Sequence, residues 1–222
     1  MPTLPTSHST QTKKTSIPKI VYRVGLCALI GLAGLPTGAQ WSPAGESKTR
    51  WKSGKQLQDE LELPGNCLWQ DTPLRTALES FSRARKVALI IDRRVDPGQL
   101  LDLALTNATG ARVLASVAEK RDLGLCFFGP VAYFGPRAAT DRIRTVAELS
   151  RDELRGLPSD VAKRFLASKQ SAWGDLVTPR DLLLELGSEN EFEILGLKRF
   201  PHDLWAAADL PPLSVSDRLT LI

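Results

Sequence analysis

The chain has 222 residues, 42% of them apolar and 24% charged, a balance at which most of the chain should fold. The net charge of +4 belongs to residues 1–39, where Lys13, Lys14, Lys19 and Arg23 stand without an acidic residue; the other 25 of 29 basic residues meet 25 acidic ones. An electrically balanced body excludes a basic stripe for DNA or RNA.

Residues 1–39 read as a targeting segment. A polar, basic stretch, TKKTSIPKIVYR, precedes the apolar run VGLCALIGLAGL at 24–35, and PTGAQ then places Thr37 and Ala39 at the −3 and −1 positions of a cleavage site before Gln40. Twelve apolar residues at about 1.5 Å each fall short of the roughly 30 Å of a bilayer core. Export with cleavage between Ala39 and Gln40 is expected, with an uncleaved membrane anchor as the competing outcome. Val24-Gly25-Leu26 before Cys27 is a poor lipobox. Removing the segment leaves Cys67 and Cys126, an even count that permits one disulfide in an oxidising compartment, against the simpler reading of two small buried apolar residues.

Residues 40–65 are expected to be a flexible lead-in, with LQDELELPG able to form a short helix ending at Pro64. NCLWQD reads as a strand, and Thr72-Pro73 as the N-cap and first residue of a helix carrying Leu74, Ala77, Leu78 and Phe81 at helical spacing. VALIID (87–92) has the length and composition of a buried strand, DPG (96–98) is turn chemistry, and QLLDLALTN alternates as a half-buried strand does. A second helix runs from about Gly110 to Asp122, and GLCFFGPVAYFGP makes an aromatic-rich hairpin. The order is β-α-β-β-α-β-β over residues 66–136: an α+β module with two helices on one face of a small sheet. Residues 137–171 form a helical connector broken at Gly156-Leu157-Pro158. From 172 the pattern restarts as strand, Thr178-Pro179 cap, helix and strand again.

Landmarks keep step between the two stretches. Thr72-Pro73 matches Thr178-Pro179 at an offset of 106, which sets Ala77 and Leu78 against Leu183 and Leu184, while Leu105 matches Leu210 and Thr109 matches Ser214 at 105. Residues 172–222 are therefore expected to be a second, truncated copy. Ser214, with Asp217 three residues on, opens a last helix in which Ile222 corresponds to Val117. The leading expectation is a sequence that is a piece of a longer protein; a partner donating strands and a disordered tail are the alternatives.

The stretch TPLRTALESFSRARKVALIIDRRVD, followed by LALTNATGARVLASVAEKRDLGLCFFGPVAYFGP, resembles the secretin and TonB short N-terminal domain. The likeness covers residues 66–136, with a weaker echo from 172, and doubled modules behind a signal peptide are similar to those of exported bacterial proteins, planctomycete-type ones in particular. The resemblance implies contact with an envelope or inner-membrane protein in the periplasm. It implies no catalytic residues and no cofactor, and no secretin segment, plug or β-barrel accompanies it here.

Site chemistry is sparse. Only His8 and His202 exist, no Cys or His spacing suits zinc, and G-x-S-x-G, P-loop and G-x-G-x-x-G motifs are missing. Cys126 with His202 makes a nucleophile pair on paper only, since they lie in different units and a surface or cap role suits His202 better. Asp92, Asp96 and Asp102 cluster around the second strand and its turn, where paired carboxylates would serve hydrolysis and turn aspartates serve local hydrogen bonding. Asn107-Ala108-Thr109 has the form of a glycosylation sequon, although Thr109 is needed as a cap. Trp41, Trp51, Trp69, Trp173 and Trp205 would line a glycan surface if exposed, or pack if buried. The expected function is an exported, non-enzymatic interaction or regulatory module of the bacterial envelope. An envelope hydrolase or glycan-binding protein using those aspartates or tryptophans is the alternative.

Overall fold

The computed structural model describes residues 50–200 and 202–222; the expected cleavage site at Ala39 and Gln40, and His8, Cys27 and Trp41, lie outside them. The described chain is α+β. Its elements are α1 (Gly54–Glu62), β1 (Pro64–Pro73), α2 (Leu74–Arg85), β2 (Ala88–Ile91), β3 (Leu100–Thr109), α3 (Gly110–Lys120), β4 (Gly124–Phe128), β5 (Val131–Gly135), α4 (Arg137–Arg155), α5 (Ser159–Leu166), β6 (Ser168–Trp173), α6 (Pro179–Glu189), β7 (Ala208–Ser214) and α7 (Val215–Leu221).

The short helix expected in LQDELELPG is present as α1, starting three residues earlier, at Gly54. α1 sets Leu57 and Leu61 into the core, and buried Glu60 ties it down: its Oε1 accepts from Arg85 Nη1 at 3.0 Å and its Oε2 pairs with Lys52. Burial alone would raise the Glu60 carboxyl, but the bonds from Lys52 and Arg85 outweigh it and hold it below the ordinary value. Glu60→Ala should therefore lower the unfolding free energy by about 1–3 kcal/mol, read as a lower denaturant midpoint at unchanged slope.

Helix α2 buries the predicted stripe of Leu74, Ala77, Leu78 and Phe81. It ends on Lys86 in the left-handed region (φ 56) with Arg83 and Arg85 in its last turn, where cations complement the helix dipole. Thr72 does not cap it. Thr72 and Pro73 remain in the β1 ladder opposite Leu101 and Leu100, the Thr72 hydroxyl donates to the Gln70 carbonyl at 2.9 Å, and Pro73 itself stands at the N-cap.

The expected single sheet is two. β1 and β3 form an antiparallel ribbon, while β5 lies between β2, parallel to it, and β4, antiparallel. The three-stranded sheet is buried on both faces rather than one. Leu89, Ile91, Leu125, Phe127, Ala132 and Phe134 join a cluster with α1, α2, α3 and the ribbon. The alternate residues Ala88, Ile90, Cys126, Phe128, Val131 and Tyr133 join another with Ile143 and Ala147 of α4, Leu182 of α6, Leu210 and Leu213 of β7, and Leu221 of α7. Strands buried on both sides read as unbroken apolar runs, which is how VALIID and LCFF read.

The connector is helical as expected, broken at Gly156, but its last residues already belong to β6. The β6–β7 ladder has the register of the β1–β3 ladder. Pro64↔Thr109, Gly65↔Ala108, Cys67↔Leu105 and Trp69↔Leu103 become Ser168↔Ser214, Lys169↔Leu213, Ser171↔Leu210 and Trp173↔Ala208. The displacement is 104 on the first strand (168 − 64) and 105 on the second (214 − 109), and the same irregularity follows Gly65 and Lys169. Before these strands, α1 and α5 leave through C-caps of nearly equal geometry, Leu63 at φ −63, ψ 126 and Ala167 at φ −63, ψ 127. After them, Thr109 and Ser214 cap α3 and α7 alike, accepting from Arg112 N at 3.2 Å and Asp217 N at 3.0 Å.

For the intervening helices the offset of 106 is one too many. The buried residues of α2 and α6 coincide at 105, with Leu74, Ala77, Leu78 and Phe81 against Pro179, Leu182, Leu183 and Leu186, whereas Leu184 is 49% exposed. The same offset carries past the helix ends. Lys86 (φ 56) matches Glu191 (φ 57), and the bond from Val87 N to Ser82 O (3.3 Å) matches that from Phe192 N to Gly187 O (3.0 Å). There the correspondence breaks. The strand expected after α6 is not formed: residues 193–196 stand where β2 would be, and among the described residues no strand pairs with them as β5 pairs with β2.

Candidate functional site

The most concentrated polar chemistry lies where β2 ends. Asp92 is 6% exposed, and its backbone N–H extends the sheet by donating to Phe134 O at 2.7 Å. Its Oδ1 accepts from Arg94 N and Arg94 Nε, each at 2.9 Å; its Oδ2 accepts from Arg94 Nη2 at 2.6 Å and from the Tyr133 hydroxyl. Gly135 makes room for this cluster, since a Cβ there would lie 2.9 Å from Tyr133 Cε1 and 3.1 Å from Asp92 Cβ. Burial pushes the Asp92 carboxyl up, but the hydrogen bonds from Arg94 and Tyr133 prevail and hold it below the usual carboxylate range. Burial, followed by the hydrogen bond to Asp92, raises the Tyr133 hydroxyl well above its ordinary value, and the same carboxylate raises Arg94. Four donors engage an ionised carboxylate. That arrangement locks the β2–β3 loop onto the sheet and suits a structural anchor better than a base, whose acceptor must be free to take a proton.

The other two expected aspartates have separate duties. The exposed Asp96 accepts from Gly98 N at 2.8 Å and closes the turn. The exposed Asp102 accepts at 2.8 Å from the N–H of Asp71, which sits at φ 43 in the irregular part of β1. Among the described residues, no three of His, Cys, Asp and Glu come together to hold a metal ion.

The possible disulfide between Cys67 and Cys126 is not formed. Both thiols are free, the half-buried Cys67 against the α2–α3 cluster and the buried Cys126 on the opposite face of the sheet, and burial raises both. His202 is exposed and Cys126 buried. The four described tryptophans are not an exposed platform either. Trp69 packs on the first cluster; Trp173 is buried in the second, its indole N–H donating to Ala206 O at 2.9 Å, with Trp205 6.1 Å away between ring centroids and Trp51 nearby. Asn107 lies in the left-handed region (φ 53), its N–H bonded to Asn66 Oδ1 at 3.0 Å, and Thr109 serves as the cap.

Apolar side chains are also accessible. Among the described residues eleven large hydrophobic side chains are exposed. Only Leu63, Leu68 and Leu100 precede residue 137, while Val146, Leu149, Leu157, Leu166, Leu176, Leu184, Leu195 and Leu204 follow it. Part of this surface is a groove of about 380 Å³ between α4, α5 and α7, lined by Val146, Leu154, Leu157, Phe165 and Leu219 among others. An ion pair from Arg151 Nη2 to Asp217 Oδ1 (2.7 Å) joins α4 to α7. The apolar periodicity of 137–155 gave notice of a packed helix face, but not of which apolar positions would stay uncovered. No family model matches the chain, and no curated protein is significantly similar to it.

Proposed function

We propose that this chain is an exported, non-enzymatic interaction or regulatory module of the bacterial envelope. In this reading residues 66–136 form a unit like the secretin and TonB short N-terminal domain, and residues 172–222 form a truncated second copy. The observation that carries it is the apolar groove between α4, α5 and α7, where exposed Val146 and Leu157 share one surface with Leu154, Phe165 and Leu219, because contiguous apolar surface marks a protein-contact site. The β-α-β-β-α-β-β order of β1 to β5, and the ladder registers displaced by 104 and 105, support the module and its repetition. Asp92, Asp96 and Asp102, each engaged in a local hydrogen bond, favour interaction over envelope hydrolysis.

The test has two arms. Cell fractionation with intact mass should recover the protein outside the cytoplasm with Gln40 as its first residue, and crosslinking in cells should join it to one defined membrane protein. Recovery of the full-length chain from the cytoplasm would reject export. Loss of an envelope-hydrolysing activity in Asp92→Ala, Asp96→Ala or Asp102→Ala, with the fold retained, would favour the hydrolase instead.

A further inference from the structure

The described chain sorts into two bodies by what ties each together. In residues 50–155 the β1–β3 ladder, the three-stranded sheet and the Glu60 and Asp92 anchors interlock. Helix α4 belongs to this body: it rests on β4 so closely that a Cβ on Gly124 would overlap Thr140 Oγ1. Residues 159–222 hold to one another through the β6–β7 ladder and the Phe165–Phe192 ring contact at 4.9 Å. Glu189 adds to this, pairing with Lys169 on β6 (2.8 Å) and Arg218 on α7 (3.3 Å). Between the bodies the ties are of another kind. Among the described residues no backbone hydrogen bond runs from 50–155 to 159–222, and two ion pairs do, Arg93 with Asp203 and Arg151 with Asp217. Arg93 and Asp203 are 43% and 38% exposed on their side chains, so water and salt weaken their attraction.

The rest of the seam is apolar. β7 lies on β2 and α7 on α4, and Leu182, Leu210 and Leu213 of the second body share a cluster with Ala88, Phe128 and Val131 of the first. Two buried donors count against this closure. The indole N–H groups of Trp51, from the first body, and Trp205, from the second, belong to the same cluster and find no acceptor among the described residues. Parting the bodies gives both donors to water, which lowers the cost of opening. The joint is short: α4 ends on Gly156 as its C-cap and α5 starts from Pro158 as its N-cap, with Leu157 between them. Turning at a few residues between elements is enough to swing a body that is otherwise held by side-chain packing.

We infer that residues 159–222 are a hinged cover, lifting as a body about Gly156–Pro158 and latched by Arg93 and Asp203. Opening leaves α4 on β4 and uncovers the outer face of β2, where Ala88 is fully buried in the closed form. The inference stands on packing and is separate from the interaction reading. Its test uses the full chain carrying Ala88→Cys, treated with iodoacetamide and followed at each cysteine by peptide mass spectrometry, with rates scaled to those of the chain unfolded in denaturant. The thiol at position 88 should react at least about tenfold faster than Cys126, which is buried on β4 beneath α4. Leu213→Cys reads the seam from the side of the cover and should behave alike, which guards against a local disturbance at either position. In the Ala88→Cys background, Arg93→Gln and Asp203→Asn should each raise the rate at position 88 by about twofold to fivefold, the two together no further, with Cys126 unchanged. Equal scaled rates at positions 88, 213 and 126 would mean that the seam opens only when the whole chain unfolds, and would overturn the inference. Arg93→Gln and Asp203→Asn without effect at position 88, or with an equal effect at Cys126, would overturn the latch.

Discussion

Replacing Phe134 by alanine should lower the unfolding free energy by about 3–5 kcal/mol, the upper range for an aromatic ring removed from a core. Phe134 is fully buried on the central strand of the three-stranded sheet, opposite Ile91 on β2 and Leu125 on β4. β5 is hydrogen-bonded on both edges and covered on both faces, so the backbone has little freedom to collapse into the space the ring leaves. Leu176→Ala, at a residue 72% exposed, should stay within about 0.5 kcal/mol and serves as the control. Because alternate residues of the same strand feed both clusters, the loss should be felt in both. In a background with Trp41, Trp51 and Trp69 replaced by phenylalanine, fluorescence comes from Trp173 and Trp205 of the second cluster alone and should report the same shifted denaturant midpoint as far-UV circular dichroism. A loss below about 1 kcal/mol, or tryptophan signals that keep the wild-type midpoint, would mean that the sheet does not couple the two cores.

The parts of this fold that sequence patterning reached are those decided within a few residues. The stripe of Leu74, Ala77, Leu78 and Phe81, the caps at Thr109 and Ser214, and the Gly129-Pro130 hairpin depend on neighbours three or four positions away, and the structure has them where the pattern put them. Where a distant partner decides, the same signals misled. Thr72-Pro73 and Thr178-Pro179 are the same dipeptide, but Thr178 caps α6 with a bond from Asp181 N at 3.1 Å, while Thr72 is held in a ladder by Leu101. EFEIL has the alternation of a strand and forms none, because strand stability comes from cross-strand pairing rather than from composition. The polar stretch around α1 carries only Leu57 and Leu61 as inward positions, and its anchor is Arg85, 25 residues beyond Glu60. The anchor at Asp92 was half legible. An aspartate closing an apolar strand drew attention, and Arg94 was near, but Tyr133 lies 41 residues on and nothing local links it to Asp92.

Asp92→Asn should lower stability at pH 7 by about 2–3 kcal/mol, since the amide cannot accept the bidentate guanidinium and the Tyr133 hydroxyl together, and a buried donor is left without its partner. Arg94 is 55% exposed on its side chain and regains water when released, which keeps the loss below that of breaking a wholly buried pair. The pH dependence has a definite sign. The folded-state carboxyl is held below its unfolded value of about 3.9, so its contribution is complete above that value and disappears as pH falls through the folded pKa. Wild type and variant should therefore differ most near neutrality and converge in acid below about pH 4, measured as denaturant midpoints across a pH series. Tyr133→Phe should cost less, about 1 kcal/mol, and combined with Asp92→Asn should cost less than the two changes added, because the hydroxyl and the carboxylate satisfy one another. A difference that stayed constant into acid would mean that the carboxylate is not held ionised by these donors. If the variant instead kept wild-type stability while losing an envelope-hydrolysing activity, Asp92 would be a reacting group and not an anchor, since a carboxylate spent on four hydrogen bonds cannot be removed without the fold registering its loss.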